Sequence, residues 1–250
     1  MASYLIDSHS HLDLFPNFIQ ILQKCDSVDI ELITVTNAPS VWQTNRALSG
    51  KYPRIHAALG FHPQLTKERY REIDLFEKYL NQARFVGEIG LDGSKEIVHT
   101  FETQKEIFVR ILQCCASEGN KVLSVHSRKA SREVIEIIAK YLPKQKGKTI
   151  LHWFTGTKTE VAEAVKLGCY FSINNCMLIN KKGRALLDMI PPERVVTETD
   201  APFINNLGYP FNIEQTVKSL ANFWALPIIS TKDLIYKNFI DLTTHESYDR

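Results

Sequence analysis

Tyr4-Leu5-Ile6-Asp7-Ser8-His9-Ser10-His11 holds the first apolar run of the chain, and its reading decides the fold. Tyr4–Ser8 has the composition of a β-strand, with His9 and His11 two residues apart at its end. Side chains at i and i+2 of an extended strand share a face, so both imidazoles can reach one metal ion. Working outward, the same arrangement recurs. Further short apolar runs are Leu32–Thr36, Ile55–Leu59, Phe85–Ile89, Val122–His126, Thr149–Trp153, Tyr170–Ile173 and Val195–Thr199. At or just past the ends of these runs stand His62, Glu88, His126, His152 and Asp200.

The segments between the runs carry helical spacing. Phe101–Glu118 places Phe101, Ile107, Phe108, Ile111 and Leu112 largely on one stripe, and Ala130–Leu142 repeats the pattern. Glu160–Leu167, Arg184–Met189 and Ile213–Trp224 read as further helices. Strands alternating with helices over 250 residues predict an α/β fold, a (β/α)8 TIM barrel in which residues 1–250 form a single domain. A doubly wound sheet would need a nucleotide fingerprint, and Gly87-Glu88-Ile89-Gly90 is not one.

Composition narrows the function. A hydrophobic fraction of 44% and a charged fraction of 23% describe an ordinary globular protein. A net charge of +2 excludes a polycation. Basic residues cluster at Arg128, Lys129 and Arg132; at Lys144, Lys146 and Lys148; and at Lys181, Lys182 and Arg184. Such runs are solvated faces by default, but the Arg128 cluster lies beside a candidate ligand and suits a phosphate-bearing substrate. The five cysteines form no CxxC pair and read as reduced thiols, with Cys176 notable because it follows a strand end. No secretory leader pattern or membrane-length apolar stretch is visible, which predicts a cytoplasmic protein.

In a barrel, residues just past the strand C-termini converge on one face. His9, His11, His62, Glu88, His126, His152 and Asp200 would meet there. Burying so many polar groups together without metal would be costly. The imidazole–carboxylate mixture suits Zn2+, Mn2+, Co2+, Fe2+ or, less readily, Mg2+. It is too large for one ion and implies two, about 3.5–4 Å apart with a bridging carboxylate. His56 inside the third run, and His99 and His245 in polar stretches, read as structural or surface residues.

The motifs Asp7-Ser-His-Ser-His11, Gly60-Phe-His-Pro63, Gly87-Glu-Ile-Gly-Leu-Asp92, Val125-His-Ser-Arg128, His152-Trp-Phe-Thr-Gly156 and Glu198-Thr-Asp-Ala-Pro202 span nearly the whole chain. In this order the chain resembles the TatD family of metal-dependent deoxyribonucleases, within the amidohydrolase-like barrels. Lys237-Asn-Phe239 resembles the family's closing helix. The resemblance implies that His9, His11 and Asp200 hold one divalent ion, that Glu88 bridges, and that His126 and His152 hold the second. It implies Mg2+, Mn2+ or Zn2+ as cofactors, His62 facing the substrate phosphate and Asp92 supporting the ligands.

Such a centre would hydrolyse phosphodiester bonds through a metal-activated water. Asp200 could take the water's proton, His62 could position the phosphate or protonate the leaving group, and Arg128 could fork onto the phosphate. Phe61, Trp153, Phe154, Phe203 and Tyr209 are candidates to frame the cleft and stack unpaired bases. These features favour DNA as substrate, single-stranded or frayed at 3′ ends, and 3′–5′ exonuclease or 3′-end phosphodiesterase action.

The chain departs from the family at Trp153 and Thr155, at Gly93-Ser94 where aromatics are usual, at Leu207-Gly-Tyr-Pro-Phe-Asn212, and in a short C-terminus. These changes are similar to the TatD-like nuclease of the Qat anti-phage cassette, which implies protein partners in a defence system. Two rival readings follow. One is an amidohydrolase-type hydrolase of small amides or lactones, although Glu88 stands where such enzymes often carry a carboxylated lysine. The other is a subunit that acts only through partners.

Overall fold

Among the described residues, eight strands form where the eight apolar runs predict them. The structure is a computed structural model that describes residues 4–204, 209, 210 and 212–244. The strands are β1 (Leu5–Ser10), β2 (Ile30–Thr34), β3 (Ile55–Ala57), β4 (Phe85–Gly90), β5 (Lys121–His126), β6 (Gly147–His152), β7 (Tyr170–Ile173) and β8 (Val195–Thr197). They pair in parallel and in chain order, as ladders β1–β3 and β4–β8.

Two seams close the ring. At the first, Leu59 N donates to Phe85 O at 3.0 Å and Gly87 N donates to Leu59 O at 2.8 Å. At the second, Asp200 N donates to His9 O at 2.9 Å and His11 N donates to Ala201 O at 2.7 Å. These bonds bring the edges of the two ladders together, as in the expected barrel. The second seam is made by the backbone of candidate ligands, so closing the barrel also sets their spacing.

The strands carry continuous apolar runs because a parallel sheet is covered on both faces. Ile6, Leu32, Val86, Leu123, Val125, Leu151, Phe171 and Val196 are fully buried. Each contributes roughly 1.5–3 kcal/mol of burial free energy. Register breaks fall between Asp7 and Ser10 of β1 and between Val86 and Ile89 of β4. Such irregularities re-aim side chains, and these two lie at His9 and Glu88.

The helices are α1 (Phe18–Asp26), α2 (Pro39–Ser49), α3 (Ile73–Leu80), α4 (Phe101–Glu118), α5 (Ser131–Tyr141), α6 (Lys158–Lys166), α7 (Asn175–Ile179), α8 (Lys181–Leu187), α9 (Ile213–Trp224) and α10 (Ile228–Thr243). The spacing predicts α4 and α9 end to end, and α5, α6 and α8 within a few residues. A capping box between Thr157 and Glu160 starts α6. Helix α2 escapes the periodicity because its buried face mixes Trp42 with Asn45 and Ser49. Helix α10 packs against the N-terminal ends of the strands. There Asn238 Nδ2 donates to Pro192 O at 2.7 Å and Val195 O at 2.8 Å, and Arg84 donates to Thr243 O at 2.9 Å. Among the described residues no helix is long and apolar enough to cross a membrane.

Candidate metal centre

Glu88 stands at the end of β4 with its carboxylate 97% buried, and five imidazoles face it. Oε2 lies 3.5 Å from His9 Nε2 and 3.2 Å from His11 Nε2. Oε1 lies 2.6 Å from His126 Nδ1, 3.4 Å from His62 Nε2 and 3.7 Å from His152 Nε2. Asp200 Oδ1 is 3.7 Å from both His9 Nε2 and His11 Nε2. The barrel therefore brings together every candidate ligand, each from a different strand end apart from the pair on β1.

Local backbone explains the placement. His9 and His11 project from one face of β1. Asp200 has a left-handed backbone, φ 50°, as does Trp153 after His152, φ 38°. A non-glycine residue there costs of order 1–3 kcal/mol and marks a constrained site. Gly60 is required ahead of His62, since a Cβ would sit 1.6 Å from Thr36 O. At Gly90, φ 131°, a Cβ would sit 2.1 Å from His126 O.

The surrounding hydrogen bonds choose which ring nitrogen points inward. His9 Nδ1 pairs with Ser124 Oγ at 2.7 Å, leaving Nε2 on Glu88. His152 Nδ1 pairs with Glu198 Oε2 at 2.9 Å, leaving Nε2 inward. His126 Nε2 pairs with Asp92 Oδ2 at 3.3 Å, leaving Nδ1 inward. This is the arrangement of metal-binding histidines, whose second nitrogen donates to a carboxylate or similar acceptor. His62 Nδ1 accepts from Gln64 N at 3.2 Å, so the proton of its neutral ring is on Nε2, facing Glu88.

The anchors are themselves held. Glu198 is fully buried and also accepts from Asn174 Nδ2 at 2.8 Å and from Ser172 Oγ. Asp92 accepts from Ser94 N at 2.8 Å and Gln64 Nε2 at 3.3 Å. Asp7 binds Thr199 N at 2.9 Å and Tyr209 Oη at 3.1 Å. Sequence reasoning did not pick out Glu198 or Ser124 as site residues. The signal for Glu198 was its place in Glu198-Thr-Asp200, because i and i+2 at a strand end sit beside one another.

Burial and charge pull the site's proton affinities apart. Burial lowers His9 to about 3, helped by the neighbouring His152. Burial also lowers His62. His152 is opposed by burial, but the Glu198 carboxylate outweighs it and raises the ring to about 10. His126 is likewise raised against burial, by Asp92 and Glu88. Burial raises Asp200 to about 7, although His152 pulls the other way. Burial opposes ionisation of Glu88 too, yet its histidines hold it well below the usual carboxylate range.

A metal fits these residues. His9 Nε2, which faces Glu88 and Asp200, is buried without a hydrogen-bond partner among the described residues. Three sets of ligand atoms lie within 4.8 Å of one another: His9, His11 and Glu88; His62, Glu88 and His126; and His9, His152 and Glu198. In the third set the Glu198 oxygens are already occupied by three donors, so its role is to orient His152.

Several expected site residues lie elsewhere. Phe61 and Phe154 are 1% exposed and belong to the apolar core, and Tyr209 is buried against Asp7. These three cannot stack bases, a correction that follows from the inward face of their loops. Phe203 is 62% exposed and sets its ring edge-on to His11, 5.1 Å between centroids. Trp153 is partly buried beside His152, at 6.4 Å. Arg128 is exposed, and among the described residues its guanidinium makes no hydrogen bond to the clustered groups. His56 pairs with Glu31 at 2.6 Å away from the cluster, and His99 is exposed, as read from the sequence. His245 and the family-divergent Leu207, Gly208 and Phe211 lie outside the described residues.

A (β/α)8 barrel with histidines and carboxylates at its C-terminal mouth defines a class of metal-dependent hydrolase. The family model of the TatD-related DNases matches residues 6–244, and the chain belongs to that family. By that membership it is a metal-dependent hydrolase of phosphodiester bonds. An uncharacterized metal-dependent hydrolase of Methanocaldococcus jannaschii is 26% identical over 245 residues, covering 93% of this chain and 94% of the relative. The 3′-5′ ssDNA/RNA exonuclease TatD of Escherichia fergusonii is 32% identical over 183 residues, covering 69% and 67%. The crystal structure of YjjV, a TatD homologue from Escherichia coli K12, superposes with a TM-score of 0.83 at 22% identity, covering 95% and 97%, which supports the fold.

Proposed function

We propose that residues 1–250 act as one domain, a two-metal deoxyribonuclease that removes nucleotides from the 3′ ends of single-stranded or frayed DNA. The observation that carries this reading is the division of labour at Glu88. One oxygen faces His9 and His11, with Asp200 beside them; the other faces His126 and His152, with His62 also beside it. That supports His9, His11 and Asp200 as ligands of one ion, His126 and His152 as ligands of the other, and Glu88 as the bridge. Two bound divalent ions, Mg2+, Mn2+ or Zn2+, would supply an activated water and offset charge on the phosphoryl oxygens.

The remaining work belongs to the chain. Asp200, 3.7 Å from His9 and His11 at the mouth of the barrel, is placed to accept the proton of the attacking water. His62 presents Nε2–H to the phosphate or the leaving oxygen, its ring fixed by Gln64 N. Phe203 offers an exposed face beside His11 on which an unpaired base can stack. The name of the E. fergusonii relative supports 3′–5′ polarity on single strands. Mouth-loop similarity to the Qat nuclease supports a cytoplasmic defence role with protein partners.

The test is metal-dependent release of nucleotides from a labelled single-stranded DNA by wild type and Asp200→Asn. Loss of product in the variant and in chelator, with an unchanged melting curve, supports the assignment. Full activity in Asp200→Asn overturns it. Turnover of amides or lactones but not DNA favours the amidohydrolase reading.

A further inference from the structure

The three basic clusters of the sequence fall at two ends of the barrel. Lys144 and Lys148 serve structure at the N-terminal end, donating to the carbonyls of Lys166 at 2.5 Å and Asp241 at 2.6 Å. The other two border the metal centre. The stretches that run from the ends of β5, β6 and β7 into the start of α5, α6 and α8, residues 127–131, 153–159 and 174–183, carry Arg128, Lys129, Lys158, Lys181 and Lys182 and no carboxylate. All five side chains are exposed.

The rim over β1–β4 is different. Residues 11–17, 35–38, 58–72 and 91–100 carry four cations and five carboxylates. Arg69 is further neutralised by Glu72 at 2.9 Å. The mouth is therefore electrostatically one-sided in a molecule of net charge only +2. Part of the asymmetry is tempered where Arg128 and Lys129 face Glu96 across the β4–β5 boundary. Among the described residues Lys158, Lys181 and Lys182, at the starts of α6 and α8, form no ion pair, and Lys182 Nζ reaches Thr155 O at 3.1 Å, joining the β6 and β7 sides into one ridge. Glu160, the first acid beyond Lys158, is committed to the capping box of α6.

We propose that this ridge is a phosphate track: the single strand whose end occupies the metal centre leaves it over β5–β7, not over β1–β4. The inference rests on the nuclease reading above and adds a direction to it. A one-sided row of lysines recognises the backbone of a single strand whatever its sequence.

The experiment measures binding of a fluorescent 20-nucleotide oligothymidylate by anisotropy in chelator, from 50 to 200 mM salt. Each phosphate neutralised on a single strand contributes about 0.7 to the slope of log affinity against log salt. Lys158→Gln, Lys181→Gln and Lys182→Gln together are expected to flatten the slope by about 2 and weaken binding roughly tenfold or more at 50 mM. Lys67→Gln, Arg71→Gln and Lys95→Gln, on the opposite rim, are expected to leave both unchanged. A wild-type slope in the first triple variant, or equal losses in both, overturns the track. Cleavage of bis(p-nitrophenyl) phosphate by wild type with Mn2+, a diester too short to reach the ridge, tests the nuclease reading separately.

Discussion

Replacing Glu198 with Gln isolates a contribution that no ligand residue reveals. Glu198 touches no inferred ion; it holds His152 by a 2.9 Å hydrogen bond from Nδ1 and sits fully buried among three donors. Gln keeps the volume and one carbonyl but removes the charge and presents an N–H where an acceptor stood. A charge-assisted hydrogen bond is worth about 1.5–3 kcal/mol, or roughly 10–100-fold in affinity. Loss of a carboxylate behind a metal-binding histidine costs the same range. The effect should depend on pH with a definite sign. Burial lowers the proton affinity of His152, but Glu198 reverses this and raises it to about 10, so in wild type a proton competes with the metal across the neutral range. Removing Glu198 weakens that competitor. The penalty is therefore largest at high pH and shrinks as pH falls. Titration against a chromogenic chelator at pH 6.5 and 8.5, with metal content by mass spectrometry, reads both effects. Wild-type affinity at pH 8.5 in a folded Glu198→Gln protein would refute the positioning role.

Further outcomes follow from the same geometry. Wild-type metal affinity should rise with pH by about tenfold per unit for each proton released, because His152 is protonated below about 10 and Asp200 below about 7 in the metal-free protein; calorimetry in buffers of different ionisation enthalpy counts the protons, and pH-independent binding would contradict the shifts. Phe203→Ala should raise KM for single-stranded DNA by roughly 5–150-fold, from about 1–3 kcal/mol of base stacking, without lowering Tm. Phe154→Ala should do the reverse: it empties a core position against Phe171, costs about 3–5 kcal/mol and lowers Tm by roughly 6–20 °C, as read by calorimetry.

The two phenylalanines show what the chain reveals by itself. Both follow strand ends and both looked able to frame a cleft. Residue type and strand-end position cannot say which loop face turns to the core, so Phe154 is buried and Phe203 is exposed. The same holds for Arg128, which is two residues from the candidate ligand His126 in sequence but exposed at the rim in space. Helices α1, α2 and α3 were illegible for a related reason: their faces are selected by the sheet they cover, and α2 fills its share with Trp42 and small polar residues.

The strands and the candidate ligand set were legible because both are local. A parallel strand buried on two faces needs a short unbroken apolar run, and a metal site needs imidazoles and carboxylates at the ends of such runs. The amino-acid order by itself therefore determined the barrel, the seven converging groups and the metal-dependent chemistry. Only the tertiary structure decided that Glu88 stands between two histidine sets, which nitrogen of each ring turns inward, that Glu198 and Ser124 hold those rings, and that the basic rim is one-sided. Those features are distances between residues up to about 190 positions apart, such as Asp200 N on His9 O, and they exist only once the ring of strands has closed.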